Sequence, residues 1–476
     1  MSVMAESAAR SGDIVVIGSG IAGLSAAVSA AEELGGRSGC TVTVVDRAER
    51  NQAGGNSKWT SAYLRLDDVY EVADSFVDDV VGFSGGRTPS WYVETLVDRL
   101  PETMEWIQGH GARFRRFPTY FINSNRPRLQ PVGGGEALLN ALRPSAERLG
   151  VRFRYGRTAQ RLVHDDDGRV TGVVVTGDDG EEIIRADAVV IASGGFEGDP
   201  ATLTKELGGN ADQLIPIAPG VGFNRGEGIR MALDSGAARA GQWDTFHAEP
   251  VDPRSSDPEA LVMVFPYGIL VNAHGKRFLD EGGGTVDETY ESTARAVWSQ
   301  DGGVAYFITD QQSSAVTEWK RGVLTSVKPV VADTAGELAT ALGLPADRLA
   351  RTIEEYNAAV VDDREFEWRR PDGKHTDGLE PPKSNWALRL DRPPLLAYPV
   401  ACAVVFTFGG LATDARAQVV GHDGDPLTGL YAAGECTGIY HEKYPGGTSV
   451  LRGMIFGRLA GLEAAREVST ASTAGC

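Results

Sequence analysis

The sequence predicts an α/β protein, a parallel-sheet dinucleotide-binding domain whose chain is interrupted by an inserted α+β capping domain. Three observations predict it. A β-α-β unit with a glycine-rich turn opens the ordered sequence. From about residue 205 to 394 glycine and proline break the chain into short mixed segments. From about 395 onward the texture of strand, glycine turn and helix returns. The 476 residues therefore divide into 1–204 and 395–476, which form one domain, and 205–394, which forms the other. Two to three domains is the expectation for this length.

Each element follows from local pattern. Asp13–Ile17 (DIVVI) is a continuous apolar run, the mark of a buried parallel strand. Gly18-Ser-Gly20-Ile-Ala-Gly23 follows, then the small-residue helix LSAAVSAAEEL, then a second strand over Thr41–Val45 that ends at Asp46 and Arg47. Helices are predicted within about 90–150, and strands over 151–195 (VRFRYG, AQRLVHD, GRVTGVVVTG, EIIRADAVVIASGG). The turns DDDG and DDG make these a meander of hairpins that feeds back into a parallel strand. In the inserted stretch, Thr334 and Glu337 form a capping box before LATALG, and RLARTIEEYNAAV carries apolar residues at helical spacing. AQVVG and GLYAAGE read as strands, and SVLRGMIFGRLAGLEAA as the closing helix.

The glycine motif has its full context: it follows a strand, opens a helix, and an acid ends the next strand. Gly18 permits the tight turn, Gly20 lets backbone approach a pyrophosphate, and Gly23 lets helix and sheet pack closely. The amides at the helix start, Ile21 and Ala22 among them, offer free N–H groups to phosphate. Asp46 is placed to accept hydrogen bonds from a ribose. The interval from Gly18 to Asp46 exceeds the usual spacing, and EELGGRSG is read as a loop insertion that accounts for it.

Composition narrows the partners. A formal net charge of −19 argues against nucleic acid and anionic lipid, both of which need clustered Lys and Arg. Cys40, Cys402, Cys436 and Cys476 have neither metal-like spacing nor a disulfide framework, which fits a reducing cytoplasm. The stretch MSVMAESAARSGD has no apolar core of an export signal, and no apolar run reaches a membrane span, so an integral membrane protein is not expected. No His/Cys/Asp/Glu cluster has metal-ligand spacing, so no metal is expected.

Three further segments decide which dinucleotide is expected. Gly54-Gly55-Asn56-Ser57, Ile191-Ala-Ser193-Gly194-Gly195-Phe196 and Leu430-Tyr-Ala-Ala-Gly434-Glu435 resemble the flavoprotein subunits of the fumarate reductase/succinate dehydrogenase family, in order and over nearly the whole chain. The resemblance implies a Rossmann-type, glutathione-reductase-like FAD domain. It implies that Gly55, Asn56 and Ser57 lie along the pyrophosphate and flavin, that Glu435 binds ribityl hydroxyls, and that Arg161-Leu162 pair by backbone with the adenine. It further implies that Gly446, Gly447, Ser449 and Val450 open the last helix toward the flavin N1/O2 edge, where reduced flavin is negative. Family members with covalent FAD carry a histidine just after the GGxS-type segment. Here that stretch is SKWTSAYLR, so non-covalent FAD is expected.

Within the family the sequence resembles the tricarballylate dehydrogenase branch, through Leu64-Arg65, Phe246-His247-Ala248, Pro266-Tyr267-Gly-Ile, Gly275-Lys-Arg-Phe278-Leu-Asp-Glu281-Gly282 and Phe406-Thr-Phe-Gly409. It departs from the fumarate reductase substrate set. Gly282–Asp287 holds no arginine, Phe406 stands where a histidine is used, and Tyr444-Pro445 stands where an arginine precedes the last glycine pair. Only His247 survives by position, so fumarate and succinate are not expected as substrates. Lys443-Tyr444-Pro445-Gly446 instead resembles the 3-ketosteroid dehydrogenases, in which the tyrosine and a glycine amide polarise a ketone.

The expected activity is that of an FAD-dependent oxidoreductase on CH–CH bonds (EC 1.3 type), desaturating next to a carboxylate or carbonyl, or reducing in reverse. The rivals are a ketosteroid-like 1,2-desaturase and a non-catalytic electron carrier. His247 is the candidate base or carboxylate ligand, Arg65 the candidate carboxylate clamp, and Tyr444 a donor to a substrate oxygen. Tyr267 and Tyr290 are weaker candidates, and each of the five has an ordinary packing or ion-pair alternative. Glu281 is read as structural, and His164 and His422 as surface residues. No second nucleotide fingerprint is present, so a separate electron acceptor, a quinone or redox protein, is expected.

Overall fold

The computed structural model describes residues 12–122 and 128–473. The stretch read for an export signal lies mostly in 1–11, and Cys476 at the other terminus; both lie outside the described residues.

The first strand, β1 (Ile14–Ile17), is buried at all four positions, as its unbroken apolar run requires. Helix α1 (Ile21–Leu34) ends in a left-handed Gly35 whose N–H returns to Ala31 and Glu32. The helix runs through Glu32–Leu34, so the connection to β2 (Val42–Val45) starts only at Gly35. Helices α2 (Ser90–Gly109) and α3 (Gly134–Arg148) cover this side. Strand β3 (Arg152–Arg154) follows, then the antiparallel meander β4 (Thr158–His164), β5 (Val170–Gly177) and β6 (Gly180–Arg185), then β7 (Ala188–Ile191).

In the inserted region lie α4 (Glu227–Asp234), β8 (Phe246–Val251), β9 (Ile269–Asn272), α5 (Val286–Trp298) and β10 (Val304–Thr309). Helices α6 (Ala335–Leu342) and α7 (Ala346–Ala359) follow, and the Thr334/Glu337 capping box is formed. The spine of the second sheet is β11 (Leu395–Thr407), which pairs with β8 and β10. By hydrogen bonding this strand, the first of the 395–476 segment, joins the sheet of the inserted region. The chain then returns through β12 (Gln418–Val420), β13 (Pro426–Ala432) and α8 (Ser449–Thr473).

The described residues thus form a six-stranded sheet in the order β12-β13-β7-β1-β2-β3, parallel except at β12. The in-register pairs Val16–Val44 and Val16–Val190 bring the C-terminal ends of β1, β2 and β7 together, the edge where α/β sheets bind ligands. Helix α8 lies directly on α1. A Cβ at Gly457 would meet Ala22 O at 2.4 Å and one at Gly461 would meet Ala26 O at 2.1 Å, so only glycine allows this approach. Among the described residues no helix is long and apolar enough to cross a membrane.

Candidate active site

A cleft of about 1560 Å³, its open mouth included, runs from the edge of the parallel sheet to the cap. At its sheet end Gly18 takes φ +101°, and a Cβ at Gly23 would sit 2.0 Å from Gly18 O, so turn and helix interlock. At Gly20 the nearest atom to a Cβ is Ser57 Oγ at 3.3 Å, which leaves backbone open to the cleft. The Ile21 amide donates to Ser57 Oγ at 3.1 Å. Asp46 accepts from the Ser19 amide (2.9 Å), the Ser19 hydroxyl (2.5 Å) and the Ala48 amide (2.9 Å). Arg47 pairs with Glu227 of α4 at 2.7 Å.

Most of the predicted cofactor residues line this cleft: Gly18, Gly20, Ile21, Ala22, Asp46, Arg47, Gly54–Ser57, Ser193, Gly194, Gly434, Glu435, Gly447, Ser449 and Val450. Gly23 and Gly195 stand just behind the wall. Arg161 and Leu162 do not line it; Arg157, Thr158 and Ala159 do, on the near side of a bulge between Ala159 and Arg161. The bulge moves the exposed backbone of β4 toward the strand's start.

The walls fit FAD. Asn56 Oδ1 and Ser193 Oγ are buried there without a hydrogen-bond partner among the described residues, an arrangement native interiors avoid unless a ligand completes it. Deeper in, Glu197 accepts from Asn56 Nδ2 (3.0 Å) and Asn224 Nδ2 (2.6 Å), and Glu435 accepts from the Thr407 amide (3.0 Å). The two carboxyl groups face each other beside Gly195, where a Cβ would lie 2.3 Å from Glu435 and 2.7 Å from Glu197. Burial, with Glu435 alongside, holds Glu197 well above the usual carboxylate range, which favours a proton on the pair.

The cap end is built from side chains. His247 and Glu249, alternate residues of β8, face the cleft with Glu259, Tyr63, Tyr120, Phe406 and Tyr444. His247 Nδ1 is 2.8 Å from Glu291 of α5, and its Nε2 is 3.7 Å from Glu249, which also accepts from the Tyr120 hydroxyl at 2.9 Å. Burial opposes the imidazolium, but hydrogen bonds and charge from Glu249 and Glu291 outweigh it and raise the His247 pKa. Burial and nearby carboxylates push Tyr120 and Tyr290 well above the ordinary phenol value.

The other predicted catalytic residues are placed differently. Arg65 is absent from the cleft wall. Its guanidinium donates to Pro445 O (2.5 Å) and pairs with the Asp79 carboxylate (2.9 Å), contacts that tie it to the Tyr444–Gly447 loop rather than to the cleft. Tyr267 is buried away from the cleft and donates to Trp368 O at 2.8 Å. Tyr290 packs edge-on behind His247. Tyr444 does line the cleft, but its hydroxyl accepts from the Thr448 and Ser449 amides at 2.9 Å each and donates to Ser449 Oγ. It caps α8, so those amides are engaged by the tyrosine rather than left facing outward. Glu281 is structural as read, pairing with Arg277 at 2.6 Å.

Sequence reasoning missed Tyr120, Glu249, Glu259, Glu291 and Arg452. Arg452 is buried in the first turn of α8, lines the cleft and bonds Thr437 O at 2.9 Å. The family pattern directs attention to an arginine before the last glycine pair, whereas this one follows it. Glu249 was accessible to period-two reasoning, since it stands two residues after His247 on one strand. Among the described residues no three His, Cys, Asp or Glu side chains group to hold a metal.

A split dinucleotide-binding sheet, a glycine cradle with unsatisfied polar atoms, and a cap presenting acid–base groups at its far end define a two-domain flavoprotein oxidoreductase. The chain belongs to the family described as FAD binding domain, whose model matches residues 13–451. The 4-oxocyclohexanecarboxylate 2-dehydrogenase of Sinomonas cyclohexanicum is 33% identical over 393 residues, 76% of this chain and 66% of that protein. The match therefore spans slightly under two thirds of that relative's length. A flavocytochrome c3 fumarate reductase in its open conformation superposes with a TM-score of 0.78 at 24% identity, over 98% of this chain and 80% of that one. The 3-ketosteroid-Δ4-(5α)-dehydrogenase of Rhodococcus jostii RHA1, in complex with 4-androstene-3,17-dione, superposes with a TM-score of 0.70 at 25% identity, over 97% and 98%. The protein is an FAD-dependent oxidoreductase acting on CH–CH bonds, of the fumarate reductase/ketosteroid dehydrogenase type.

Proposed function

We propose that the protein desaturates a C–C bond next to the carbonyl of a cyclic ketone, or saturates it in reverse, in the cytoplasm, and exchanges electrons with a separate acceptor. One observation carries the reading. Among the described residues the ionisable groups lining the cap end are Glu249, Glu259 and His247 with tyrosines, and the lining arginines (Arg47, Arg157, Arg452) belong to other parts of the cleft. Among the described residues that line the cap end a tricarboxylate would meet carboxylates and no guanidinium, since the buried Arg128, beside Gly446 and acting on Tyr290, stands outside the lining; like charges cost more the drier the site. A neutral ketone meets no such penalty. This weighs against the tricarballylate-like reading and for the ketone one. The names of two similar proteins agree in chemistry, since 4-oxocyclohexanecarboxylate and androstenedione are both ring ketones. Free, partly or fully buried cysteines accord with the cytoplasm.

The test is anaerobic flavin bleaching of the oxidised holoenzyme. Bleaching by ring ketones such as androstane-3,17-dione or 4-oxocyclohexanecarboxylate, with tricarballylate and succinate inert, is the expected result. Bleaching by saturated polycarboxylates alone would overturn the ketone reading. If no ketone or acid bleaches the flavin and no enone, enoate or quinone reoxidises the reduced protein, it is an electron carrier.

A further inference from the structure

Glu259 stands in the cleft wall with an unusual backbone and an unusual set of neighbours. It takes φ +52°, and Ala62, on the facing segment, takes φ +55°. Left-handed non-glycine residues are strained and persist where the surroundings hold them, commonly at reacting sites. Here the Glu259 amide donates to Ile217 O (3.1 Å), and its carbonyl accepts from the Leu261 amide (2.7 Å). The side chain is fixed from across the cleft. Ser61 donates its amide to Oε1 (3.2 Å) and its hydroxyl to Oε2 (2.5 Å). Among the described residues no Lys or Arg pairs with it. The charged and titratable groups around it are Glu249, Tyr120 and Tyr63, with Arg321 beyond Tyr63.

The other acid–base groups of the cap end are committed elsewhere. His247 is engaged by Glu291 at 2.8 Å and faces Glu249 at 3.7 Å. The Tyr444 hydroxyl caps α8, and Tyr120 donates to Glu249. Glu259 alone combines a cleft-facing carboxylate with free lone pairs and no counter-ion.

We propose that the Glu259 carboxylate removes the proton from the carbon next to the substrate carbonyl, and returns it in the reverse direction. The inference rests on the ketone reading above. The α C–H bond breaks and its proton bonds to a Glu259 oxygen, leaving the electron pair on the enolate. The neighbouring carbon loses its hydrogen as hydride, the enolate pair closes the C=C bond, and an enone forms. FAD, when bound, supplies the hydride acceptor. The substrate thus loses one proton and one hydride, and the neutral Glu259 releases its proton to solvent. Burial, followed by the charge of Glu249, pushes the Glu259 pKa up to about 7, where a carboxylate exchanges protons readily at neutral pH.

The experiment compares wild type, E259Q and E259D holoenzymes with a ring ketone, following anaerobic flavin bleaching and, by NMR in D2O, α-proton exchange. E259Q is expected to lose bleaching by roughly 10²–10⁴-fold and to lose exchange, with its flavin spectrum intact. The wild-type rate is expected to fall as pH drops through about 7, because the base must be ionised. E259D keeps a slower, pH-dependent reaction. E259Q bleaching and exchanging within about twofold of wild type would overturn the Glu259 assignment and leave the ketone reading standing. A wild type bleached by no ketone would overturn both. Should E259Q fail to retain FAD, Ser61→Ala is read instead. Losing the one bond that the Ser61 hydroxyl donates to Oε2, while the Ser61 amide keeps its own, moves the acid limb to higher pH, and an unmoved limb overturns the assignment.

Discussion

The two ends of the cleft are made of different material. The sheet end is backbone: glycines at Gly18, Gly20, Gly54, Gly55 and Gly434, with helix and strand termini, and few side chains beyond Asp46 and Ser57. The cap end is side chain: Tyr120 from a loop, His247 and Glu249 from β8, Glu259 from the loop after it, Glu291 from α5, Tyr444 from the loop before α8. Backbone cradles tolerate little change, because a Cβ at Gly18, Gly54 or Gly434 would collide with neighbouring atoms and one at Gly20 or Gly55 would enter the cleft. Side-chain sites can be reassigned one residue at a time. The same fold can therefore keep one cofactor while its chemistry shifts among acids and ketones.

The sharpest way to break that contrast is at the sheet end. Gly23→Val would place a Cβ 2.0 Å from the Gly18 carbonyl, against backbone that no rotamer can move. We expect at least about 3 kcal/mol of destabilisation and loss of bound flavin. Absorbance at the flavin bands after gel filtration measures it. A variant that keeps full FAD would show that the interlock is not what holds the cradle.

At the cap end, His247→Gln should leave FAD bound while removing one partner from Glu291, which keeps the Tyr444 amide, and from Glu249, which keeps the Tyr120 hydroxyl, a loss of about 1–3 kcal/mol. The pH dependence has a definite sign. The folded pKa of His247 is raised above its unfolded value of about 6.5, so its stabilisation is fully present below that pH and fades as pH rises through the folded value. The gap between wild type and variant in urea unfolding should therefore be widest below about pH 6.5 and narrow at alkaline pH. A gap that stays constant would mean a neutral imidazole making ordinary hydrogen bonds.

The same contrast explains what could be read from the chain. The cradle was legible because its requirements are steric and contiguous, as in Gly18–Gly23 and Gly54–Ser57. The strands of the meander were legible for the same reason, their turns being local. Arg161-Leu162 stand off the cleft wall, past an irregularity between Ala159 and Arg161 that pairing geometry sets and sequence periodicity does not show. At the cap end, His247 and Tyr444 were singled out, through family resemblance, and both line the cleft. Arg65 carries the right chemistry for a clamp, yet Asp79 and Pro445, far apart in sequence, claim its guanidinium. Tyr444 was right in place but not in direction, because its hydroxyl turns to the amides of α8. Glu259 sits beyond any motif. Its neighbours Ser61 and Glu249 come from separate segments, and only folding makes them a site.

The smallest expected effect lies between the two ends, at Glu197. Its Oε1 already accepts from Asn56 and Asn224, and its other oxygen faces Glu435. If Glu197 carries the shared proton, glutamine reproduces it, keeping the carbonyl acceptor and presenting an N–H toward Glu435. Glu197→Gln should then retain FAD and match wild-type stability within about 0.5 kcal/mol at pH 5. A carboxyl whose folded pKa lies above its unfolded value binds more protons in the native state, so wild-type stability must fall as pH rises above about 4.5. The variant lacks that titration, so it should gain on the wild type steadily from pH 5 to pH 8. Parallel pH profiles, or loss of flavin from the variant at pH 5, would mean that Glu197 is ionised and that its charge, rather than its proton, shapes the floor of the cradle.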